Sequence, residues 1–402
     1  MSEWRVVPLG DVCELKRGYD LPNGSRRDGR IPVVSSSGST GWHDEAKVSA
    51  PGVVTGRYGT LGQVFYVAED FWPLNTALYV RDFKGNEPRF VAALLRSMNL
   101  AQYDGAAAVP GLNRNHLHTV PVRVPAVRTQ QAIADVVRAF DDLIENNRRR
   151  VEVLEQMARA IYREWFVEFR YPGHSDVPLV DSALGPIPEA WECAMLGELA
   201  EVRRGISWER SNEAAGGTPV VTIPNVRSRL VLAGATELAS VTDADRLRFG
   251  LRDGDLLLIG SNGNPDRVGH VVRVPDAVEA LFASFLMRVR VHDARTSSLV
   301  VFHQLTDPRG AIAAIRATAV GATGLRNLRI TALREAQVLR PPAFVVARFE
   351  SLCGPPVRLA DQLGKQNDRL ESIRDALLPK LVTGQIDVST LDLDALTVKQ
   401  VA

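Results

Sequence analysis

Few side chains in this sequence have types and spacings suited to catalysis. The segment HDEAK at residues 43–47 supplies a histidine, two carboxylates and a lysine, as in metal-dependent nucleases, but no Pro-Asp pair precedes it, so we expect a solvated turn. His116 and His118 lie outside any HExxH or Cys/His pattern that would bind zinc. No GxxxxGK[ST] phosphate loop occurs, and the Asn-Pro pair at 264–265 lacks the aromatic residue expected of an adenine methylase pocket. These patterns predict a protein that is not an enzyme and holds no metal.

Short polar turns offer a different chemistry. Their Arg, Asn and Ser side chains carry the donors and acceptors that base edges in DNA grooves require, and their glycines allow close approach to a ligand. The alternative interpretation is a set of ordinary hairpin turns facing water. The DNA-binding candidates are Ser36, Arg57, Tyr58, Asn113, Arg114 and Asn115 in the first half of the chain, and Ser261, Asn262, Asn264, Arg267, Arg326 and Asn327 in the second.

The elements that would position these turns occur twice. WRVVPLGDVCELKRG at 4–18 and WECAMLGELAEVRRG at 191–205 share six identical positions. After each opening come short apolar runs broken by Gly, Pro, Ser and Asn, the pattern of strands joined by turns. Self-similarity of this kind predicts a duplicated, β-rich module.

A helical segment follows each module, because the apolar period changes from two to three and a half. Two adjacent rows at seven-residue spacing are typical of a coiled-coil seam. The amides Asn147 and Gln366 interrupt these rows, and we hypothesise that they align two packed helices; the alternative is a solvated helix start. The sequence CGPP at 353–356 predicts a break before Val357. The rows comprise Ile133, Phe140, Asn147, Leu154, Ile161; Val137, Ile144, Val151, Ala158, Trp165; Leu363, Leu370, Leu377; and Leu359, Gln366, Ile373.

Bulk properties favour an ordinary two-domain protein. A chain of 402 residues exceeds one typical core. Its three cysteines form no disulfide framework, and neither a signal peptide nor a membrane span is predicted, so we expect a cytoplasmic protein. The net charge of +1 does not by itself indicate a nucleic-acid partner.

Four segments, in order along the chain, resemble the specificity subunits of type I restriction–modification systems. They are APGVVTGRYGTLGQVFYV with WPLNTALYV at 50–80, REWFVEFRYPGH at 163–174, SALGPIPEAWE at 182–192 and LPKLVTGQIDVS at 378–389. The resemblance implies an α+β fold: a tandem repeat of two mixed, β-rich target-recognition domains, each followed by a long spacer helix, with the two helices packed as an antiparallel coiled-coil pair. The implied division is 1–128 for recognition domain 1, 129–170 for spacer helix 1, 171–190 for a proline-rich linker, 191–343 for recognition domain 2, 344–388 for spacer helix 2 and 389–402 for a C-terminal tail.

The resemblance further implies a DNA-specificity role in a larger complex. Each recognition domain would read half of a bipartite site in double-stranded DNA, and because the modules differ in sequence, the site should be asymmetric. Two modification (methyltransferase) subunits per chain would dock on the spacer helices, restriction subunits would join them, and S-adenosylmethionine, ATP and Mg would be needed only by those partners. The partner-binding candidates are Phe140, Ile144, Asn147, Val151, Leu154, Ala158, Ile161, Trp165, Leu363, Gln366, Leu370, Ile373 and Leu377.

One observation limits these implications, and a second supports them. The second copy has no counterpart of Gln130 and Gln131, which puts equal partner contacts at the two helices in doubt. A helix over 144–167 would span about 36 Å, close to one turn of B-DNA, as two half-sites on one face require. Two other functions remain open: a fused restriction or methylation enzyme with an unrecognised catalytic part, or an adaptor of another defence system that binds no specific sequence.

Overall fold

The computed structural model describes residues 4–103, 111–175, 177–276, 278–317, 319 and 326–388. The chain divides into two compact units, Met1–Arg149 with Gly364–Ala402, and Arg150–Leu363. Both boundaries fall inside long helices, so each unit combines one β-rich module with part of each helix. The linear division expected from sequence stays a prediction, and its tail at 389–402 lies outside the described residues.

In the described residues of the first unit, a module of nine strands and three short helices is followed by the start of a long helix. Its four-stranded antiparallel sheet has the order β2-β8-β5-β6, its three-stranded sheet the order β4-β3-β7, and β1 pairs with β9. These elements are β1 Arg5–Pro8, α1 Leu9–Val12, β2 Glu14–Arg17, β3 Ile31–Ser35, β4 Gly38–His43, β5 Gly52–Gly56, β6 Val64–Val67, β7 Trp72–Pro73, β8 Ala77–Asp82, α2 Pro88–Ser97, α3 Arg114–Thr119, β9 Pro121–Val124 and α4 Val127–Tyr162.

The second unit repeats this strand order. Its sheets are β13-β20-β16-β18, β15-β14-β19 and β12-β22, with short pairs β10-β11 and β17-β21 in addition. The elements are β10 Leu179–Val180, β11 Ile187–Pro188, β12 Glu192–Met195, α5 Leu196–Leu199, β13 Ala200–Arg204, β14 Glu213–Val221, β15 Thr236–Leu238, α6 Asp243–Phe249, β16 Leu256–Ile259, β17 Ser261–Asn262, β18 Val271–Arg273, β19 Leu281–Phe282, β20 Leu286–Val291, α7 Ser298–Thr306, α8 Ala311–Ala317, β21 Arg326–Asn327, α9 Ile330–Arg334, β22 Gln337–Arg340 and α10 Ala343–Val382.

The central strand of each module is buried on both faces. In β5, Val53 packs in the cluster that contains α2, whereas its neighbour Val54 packs against Val34 of the three-stranded sheet. In β16, Leu256 and Leu257 divide in the same way between two clusters. Alternate side chains of a strand point to opposite faces, and a strand covered on both faces is therefore continuously apolar. This explains why GVVTG and LLLI show no polar alternation.

The predicted linker contains a two-stranded antiparallel ladder. Leu179 pairs with Pro188 and Val180 with Ile187, and the Glu189 N–H donates to the Pro178 carbonyl at 2.9 Å. Strands of two residues are too short to produce a periodic pattern, so sequence reasoning could not find them.

The predicted break before Val357 is wrong. Helix α10 runs without interruption from Ala343 to Val382, although it contains the proline pair that suggested the break. Phe349, Cys353 and Val357 all lie in one buried cluster. Packing on both sides of the prolines therefore holds the helix together despite the backbone donors that proline lacks. The first long helix, α4, ends at Tyr162 and is followed by a π-helical turn at Arg163–Val167.

Candidate nucleic-acid interface

In the first module, three short backbone segments lie side by side at the end of β5. The N–H groups of Arg57 and Tyr58 donate to the Thr76 carbonyl at 2.9 and 3.2 Å, and the Leu112 N–H donates to the Arg57 carbonyl at 3.0 Å. Tyr58 also forms an antiparallel bridge with Gly111. We call Thr76, Arg57, Tyr58, Gly111 and Leu112 the first platform. It joins the GRYG and GLNRNH turns, which begin 55 residues apart (111 − 56), in one surface.

The second module builds the same arrangement at the end of β16. The N–H groups of Gly260 and Ser261 donate to the Phe285 carbonyl at 2.8 and 3.2 Å, and the Leu328 N–H donates to the Gly260 carbonyl at 2.8 Å. Ser261 pairs with Asn327 in the β17-β21 ladder. Phe285, Gly260, Ser261, Asn327 and Leu328 form the second platform. The hydrogen bonds match those of the first platform one for one.

Apart from the buried leucine, Leu112 in the first and Leu328 in the second, only the backbone is shared between the platforms. By position, Arg57 and Tyr58 correspond to Gly260 and Ser261, Gly111 corresponds to Asn327, and Thr76 corresponds to Phe285. The Tyr58 ring lies over Gly111, where a Cβ atom would come within 2.3 Å of the ring. In the second platform the small residue is Ser261 and the larger one is Asn327, so the large and small positions are reversed.

The remaining first-module candidates lie around the first platform. Ser36 is half-buried beside β5, with its Cβ 3.2 Å from the position that a Cβ of Gly56 would take. Asn113 follows Leu112, and its Oδ1 accepts a hydrogen bond from the Asn115 N–H at 3.0 Å, which caps α3. Asn113, Arg114 and Asn115 are all exposed. The structure therefore brings the three predicted turns of this module together.

The second-module candidates differ from one another in exposure and in role. Asn264, Arg326 and Asn327 are exposed and Asn262 is half-buried, but Ser261 is only 4% exposed and offers little surface to a ligand. Arg267 Nη2 donates to the Val226 carbonyl at 2.5 Å and to the Ile223 carbonyl at 3.4 Å. This arginine therefore holds the turn at Ile223–Asn225, a structural role that its sequence context did not indicate.

The amides of the same turn also have local partners. Asn262 Oδ1 accepts from the Asn264 N–H at 2.8 Å, and Asn264 Oδ1 accepts from the Asp266 N–H at 3.0 Å. These are the bonds of ordinary turns, the alternative that the sequence left open.

Sequence reasoning missed Phe285. Its side chain is 53% exposed although its carbonyl anchors the second platform. In the sequence it is one apolar residue between two strands, and apolar residues there indicate burial. Alignment of the two copies through Thr76 would have placed it on the platform.

The catalytic candidates have structural partners. His43 is 2% exposed rather than solvated, and its Nδ1 accepts from the Arg27 N–H at 3.1 Å. Asp44 pairs with Arg27 and Glu45 with Lys47, and these cations hold the pKa of each carboxyl below its ordinary value. Within the described residues, no group of three or more His, Cys, Asp or Glu side chains could hold a metal ion. No helix in that part of the chain is long and apolar enough to cross a membrane.

The two long helices meet in opposite chain directions within the first unit. Asn147 Nδ2 donates to Gln366 Oε1 at 3.1 Å and to Asn367 Oδ1 at 3.0 Å, and Asn367 Nδ2 donates to the Ile144 carbonyl at 3.0 Å. Six residues before Asn147 in α4, Asp141 pairs at 2.7 Å with Arg374, which lies seven residues after Asn367 in α10. The predicted contact between Asn147 and Gln366 is therefore present.

The seam of α10 differs from the predicted one by one residue. Leu359 and Ile373 are 36% and 41% exposed, whereas Ala360 and Asn367 are 5% exposed. The predicted row through Gln366 contains larger apolar residues, Leu359 and Ile373, than the buried row through Ala360 and Asn367. Asn367, which the sequence analysis missed, is the buried amide that faces Asn147.

Most predicted partner-binding residues are covered by the chain itself. Val151, Leu154, Ile161, Gln366 and Leu377 are half-buried. The fully buried ones are Phe140, Ile144, Asn147, Ala158, Trp165, Leu363 and Leu370. A partner subunit could not reach these side chains in this arrangement. Of the predicted residues, Ile373 on α10 is exposed. Other exposed apolar residues of the two helices are Val127, Val153 and Met157 on α4, and Phe344, Leu352 and Leu359 on α10.

Gln130 explains one difference between the copies. It is 1% exposed; its Nε2 donates to Asn86 Oδ1 at 2.8 Å and to the Pro125 carbonyl at 3.0 Å, and its Oε1 accepts from the Glu87 N–H at 2.9 Å. It therefore ties the start of α4 to α2. The second module ties α7 to β22 instead, through two bonds between Gln304 and the Leu339 backbone, both 2.8 Å.

Taken together, these features define a class of protein: one with two similarly built modules whose platforms share a backbone and differ in side chains, each module being followed by a long helix. The family model of the type I restriction modification DNA specificity domain matches residues 1–156. The first module thus belongs to this domain family, and the resemblance of the chain to type I specificity subunits is confirmed.

Relatives extend the similarity beyond the first module. The chain is 26% identical over 337 residues to the type I restriction enzyme MjaIX specificity subunit of Methanocaldococcus jannaschii, covering 81% of this chain and 76% of that protein. It is 20% identical to the HindI specificity subunit of Haemophilus influenzae, covering 74% and 77%. The crystal structure of the type I S subunit from M. genitalium shares the fold, with a TM-score of 0.60, 13% identity and coverage of 95% and 96%.

Proposed function

We propose that this chain is the DNA-sequence-specificity subunit of a type I restriction–modification complex. The observation that carries the proposal is the pair of platforms. Each has the same hydrogen-bonded backbone, and apart from the buried leucine each presents different side chains on it. A fixed backbone with variable donors and acceptors is what sequence reading requires, because base-edge contacts specify and backbone contacts position.

The recognised site would be bipartite and asymmetric. The first platform, with its neighbours Ser36, Asn113, Arg114 and Asn115, would read one half-site of double-stranded DNA. The second platform would read the other half with Asn262, Asn264, Arg326 and Asn327. Ser261 and Arg267 would instead support the turns, because the former is buried and the latter bonds to backbone carbonyls.

The long helices would form an antiparallel coiled-coil pair that serves as the spacer and docks the modification subunits. Buried amides at Asn147 and Asn367 support a fixed register, a role that single polar residues have in coiled coils. Docking would use exposed apolar residues, because the seam is already covered. In the second unit these are Val153, Met157, Phe344, Leu352 and Leu359.

The chain itself would be non-catalytic. Methyl transfer and restriction would belong to modification and restriction subunits, with S-adenosylmethionine, ATP and Mg bound there, and the complex would act in the cytoplasm.

Methylation mapping tests this function. The chain is produced together with the modification subunits of its own system in a host free of DNA methylation, and the host genome is sequenced with detection of methylated bases. We expect one asymmetric motif in two parts separated by unspecified bases. Modification that follows no split motif, or none at all, would contradict the proposal.

Docking is tested separately by co-purification. Met157→Glu and Leu359→Glu should each lower recovery of modification subunits with the tagged chain, because a charge in an apolar contact is costly. Leu247→Glu is the matched control, since Leu247 is 73% exposed but lies on α6 rather than on a long helix. Equal recovery with all three variants would show that these helix faces are not the docking surface.

A further inference from the structure

The first platform contains an arginine that is held in place without using its hydrogen-bond donors. The guanidinium carbon of Arg57 lies 4.4 Å from the centroid of the Tyr58 ring. Among the described residues its side chain has no carboxylate or carbonyl partner, in contrast to Arg267, Arg204 and Arg26, which all donate to backbone carbonyls. Stacking restricts the guanidinium and leaves its N–H edge available.

Contacts with the backbone in turn fix the position of the Tyr58 ring. The ring lies on Gly111, and the backbone bridge between the two residues sets their separation. The N–H groups of both Arg57 and Tyr58 are bound to one carbonyl, that of Thr76. The arginine, the ring and the glycine thus form a stack on hydrogen-bonded backbone.

We propose that Arg57 reads a guanine in the half-site of the first module, with Tyr58 as its positioning residue. This inference rests on the proposed function. A planar guanidinium with free, parallel donors matches the O6 and N7 acceptors of guanine in the major groove, the pairing for which arginine is best suited. Holding the guanidinium in advance reduces the rotamer freedom that binding would otherwise remove. The second platform has Gly260 and Ser261 at these positions, so the second half-site is not read by this device.

The test removes the N7 acceptor from a guanine of the DNA and, separately, the guanidinium of Arg57 from the protein. The split motif is first defined with the complex of this chain and its modification subunits. Each guanine of the motif is then replaced singly by 7-deazaguanine, which lacks N7, and binding of the complex is measured. For the wild-type chain we expect one position in one half-site where affinity falls about tenfold.

The Arg57→Ala complex should bind the unmodified site about 10- to 100-fold more weakly and show no further loss at that guanine. Arg57→Lys should keep the charge and still lack the sensitivity to N7, because an ammonium group cannot make the planar, two-donor contact. Tyr58→Ala should reduce the N7 effect, whereas Tyr58→Phe should retain it. Arg89→Ala is the matched control: Arg89 stacks on Tyr66 at 4.1 Å, away from the platform, and its loss should leave binding unchanged.

The possible failures are distinguishable. If the wild-type complex has no specific site, the proposed function itself fails. If it has a site but the Arg57→Ala complex, shown to be folded by its melting curve, loses affinity at every deazaguanine position as the wild type does, the guanine assignment is wrong. A motif whose guanines all tolerate the loss of N7 would overturn it as well.

Discussion

The two modules share one backbone arrangement. In places, however, an acceptor side chain in one module is replaced by a donor side chain in the other. In the first module, His118 Nε2 accepts a hydrogen bond from the Leu15 N–H at 2.9 Å. At the corresponding place in the second module, Arg334 Nη2 donates to the Val202 carbonyl at 2.9 Å. Buried backbone groups must be paired, but either the donor or the acceptor of a strand can be chosen. The comparison separates positions that the fold dictates from positions that are free to vary.

Gly18 and Gly205 belong to the dictated positions. A Cβ on Gly18 would lie 2.3 Å from the Leu74 carbonyl oxygen and 2.5 Å from that of Pro73. On Gly205 it would lie 2.1 and 2.3 Å from the carbonyl oxygens of Phe282 and Ala283. Backbone atoms cannot move away cheaply, so only glycine fits.

The largest expected loss of stability should therefore be the same in the two modules. Gly18→Ala and Gly205→Ala should each destabilise their module by about 3 kcal/mol, because each methyl group must displace backbone. Thermal melting gives the total change, and hydrogen exchange of peptides from each module shows where it falls. Gly24→Ala is a suitable control, because a Cβ there meets nothing within 4 Å. A large loss in one module alone would show that the two frameworks are not equivalent.

The second effect concerns the helix seam. Asn147→Leu leaves Asn367 Oδ1 buried without its donor, while Asn367 Nδ2 keeps its bond to the Ile144 carbonyl, and this should cost about 2 kcal/mol. Gln366→Leu should have little effect, since Gln366 is half-buried, and the double change Asn147→Leu with Asn367→Leu should recover most of the loss because no orphaned amide remains. Denaturant unfolding measures all three. Identical stability for Asn147→Leu and the wild type would disprove the register role of the amides.

Sequence reasoning found what depends on repeated patterns. The duplicated opening at 4–18 and 191–205, the change to a seven-residue period and the contact of Asn147 with Gln366 all follow from regularities visible in the letters. It failed where a tertiary contact decides. Packing around Cys353 keeps α10 helical, and the choice between Gln366 and Asn367 depends on helix rotation that neighbouring apolar residues do not fix.

The candidate site was predictable only in part for the same reason. Turn composition identified Arg57, Tyr58 and the 113–115 segment, which do come together. Composition could not reveal that Arg267 bonds to backbone carbonyls, because its partners lie about 40 residues earlier in the chain. Nor could it place Phe285, since one exposed aromatic residue has no signature without the register of the strands.

A third difference between the modules should appear on acidification. His303 on α7 is 4% exposed and stacks on Tyr162, and burial, reinforced by the nearby Arg273 charge, lowers its pKa to about 3. The corresponding position of α2, counted from the capping residues Glu87 and Ser297, is Ala93, which cannot titrate. Only the second module therefore carries a deeply buried neutral imidazole at this place.

Because the pKa of His303 is lower in the folded than in the unfolded state, the unfolded chain binds the extra proton. The contribution of neutral His303 is complete above pH 6.5 and is lost as the pH falls toward 3, by about 2 kcal/mol at pH 5. Hydrogen exchange of α7 peptides at pH 8 and pH 5, corrected for intrinsic rates, measures this loss. His303→Phe, which keeps a ring in the stack, should remove this component. The same acid response in His303→Phe and wild-type chains would assign it to other groups.

The smallest expected change in stability comes from replacing the cross-strand pair of the first platform with that of the second. Gly111→Asn introduces a Cβ that would lie 2.3 Å from the Tyr58 ring, so the ring must leave its position over Gly111. Because the ring is only half-buried, it can move, and the cost should be about 1 kcal/mol. Adding Tyr58→Ser recreates the pair Ser261 and Asn327 of the second platform and should restore stability. Melting curves of the single and double variants give the coupling directly.

DNA binding should behave differently: both variants should lose specificity at the first half-site, because neither keeps the stack beneath Arg57. If instead the double variant restores binding together with stability, the side chains of the platform support the fold and do not read the DNA.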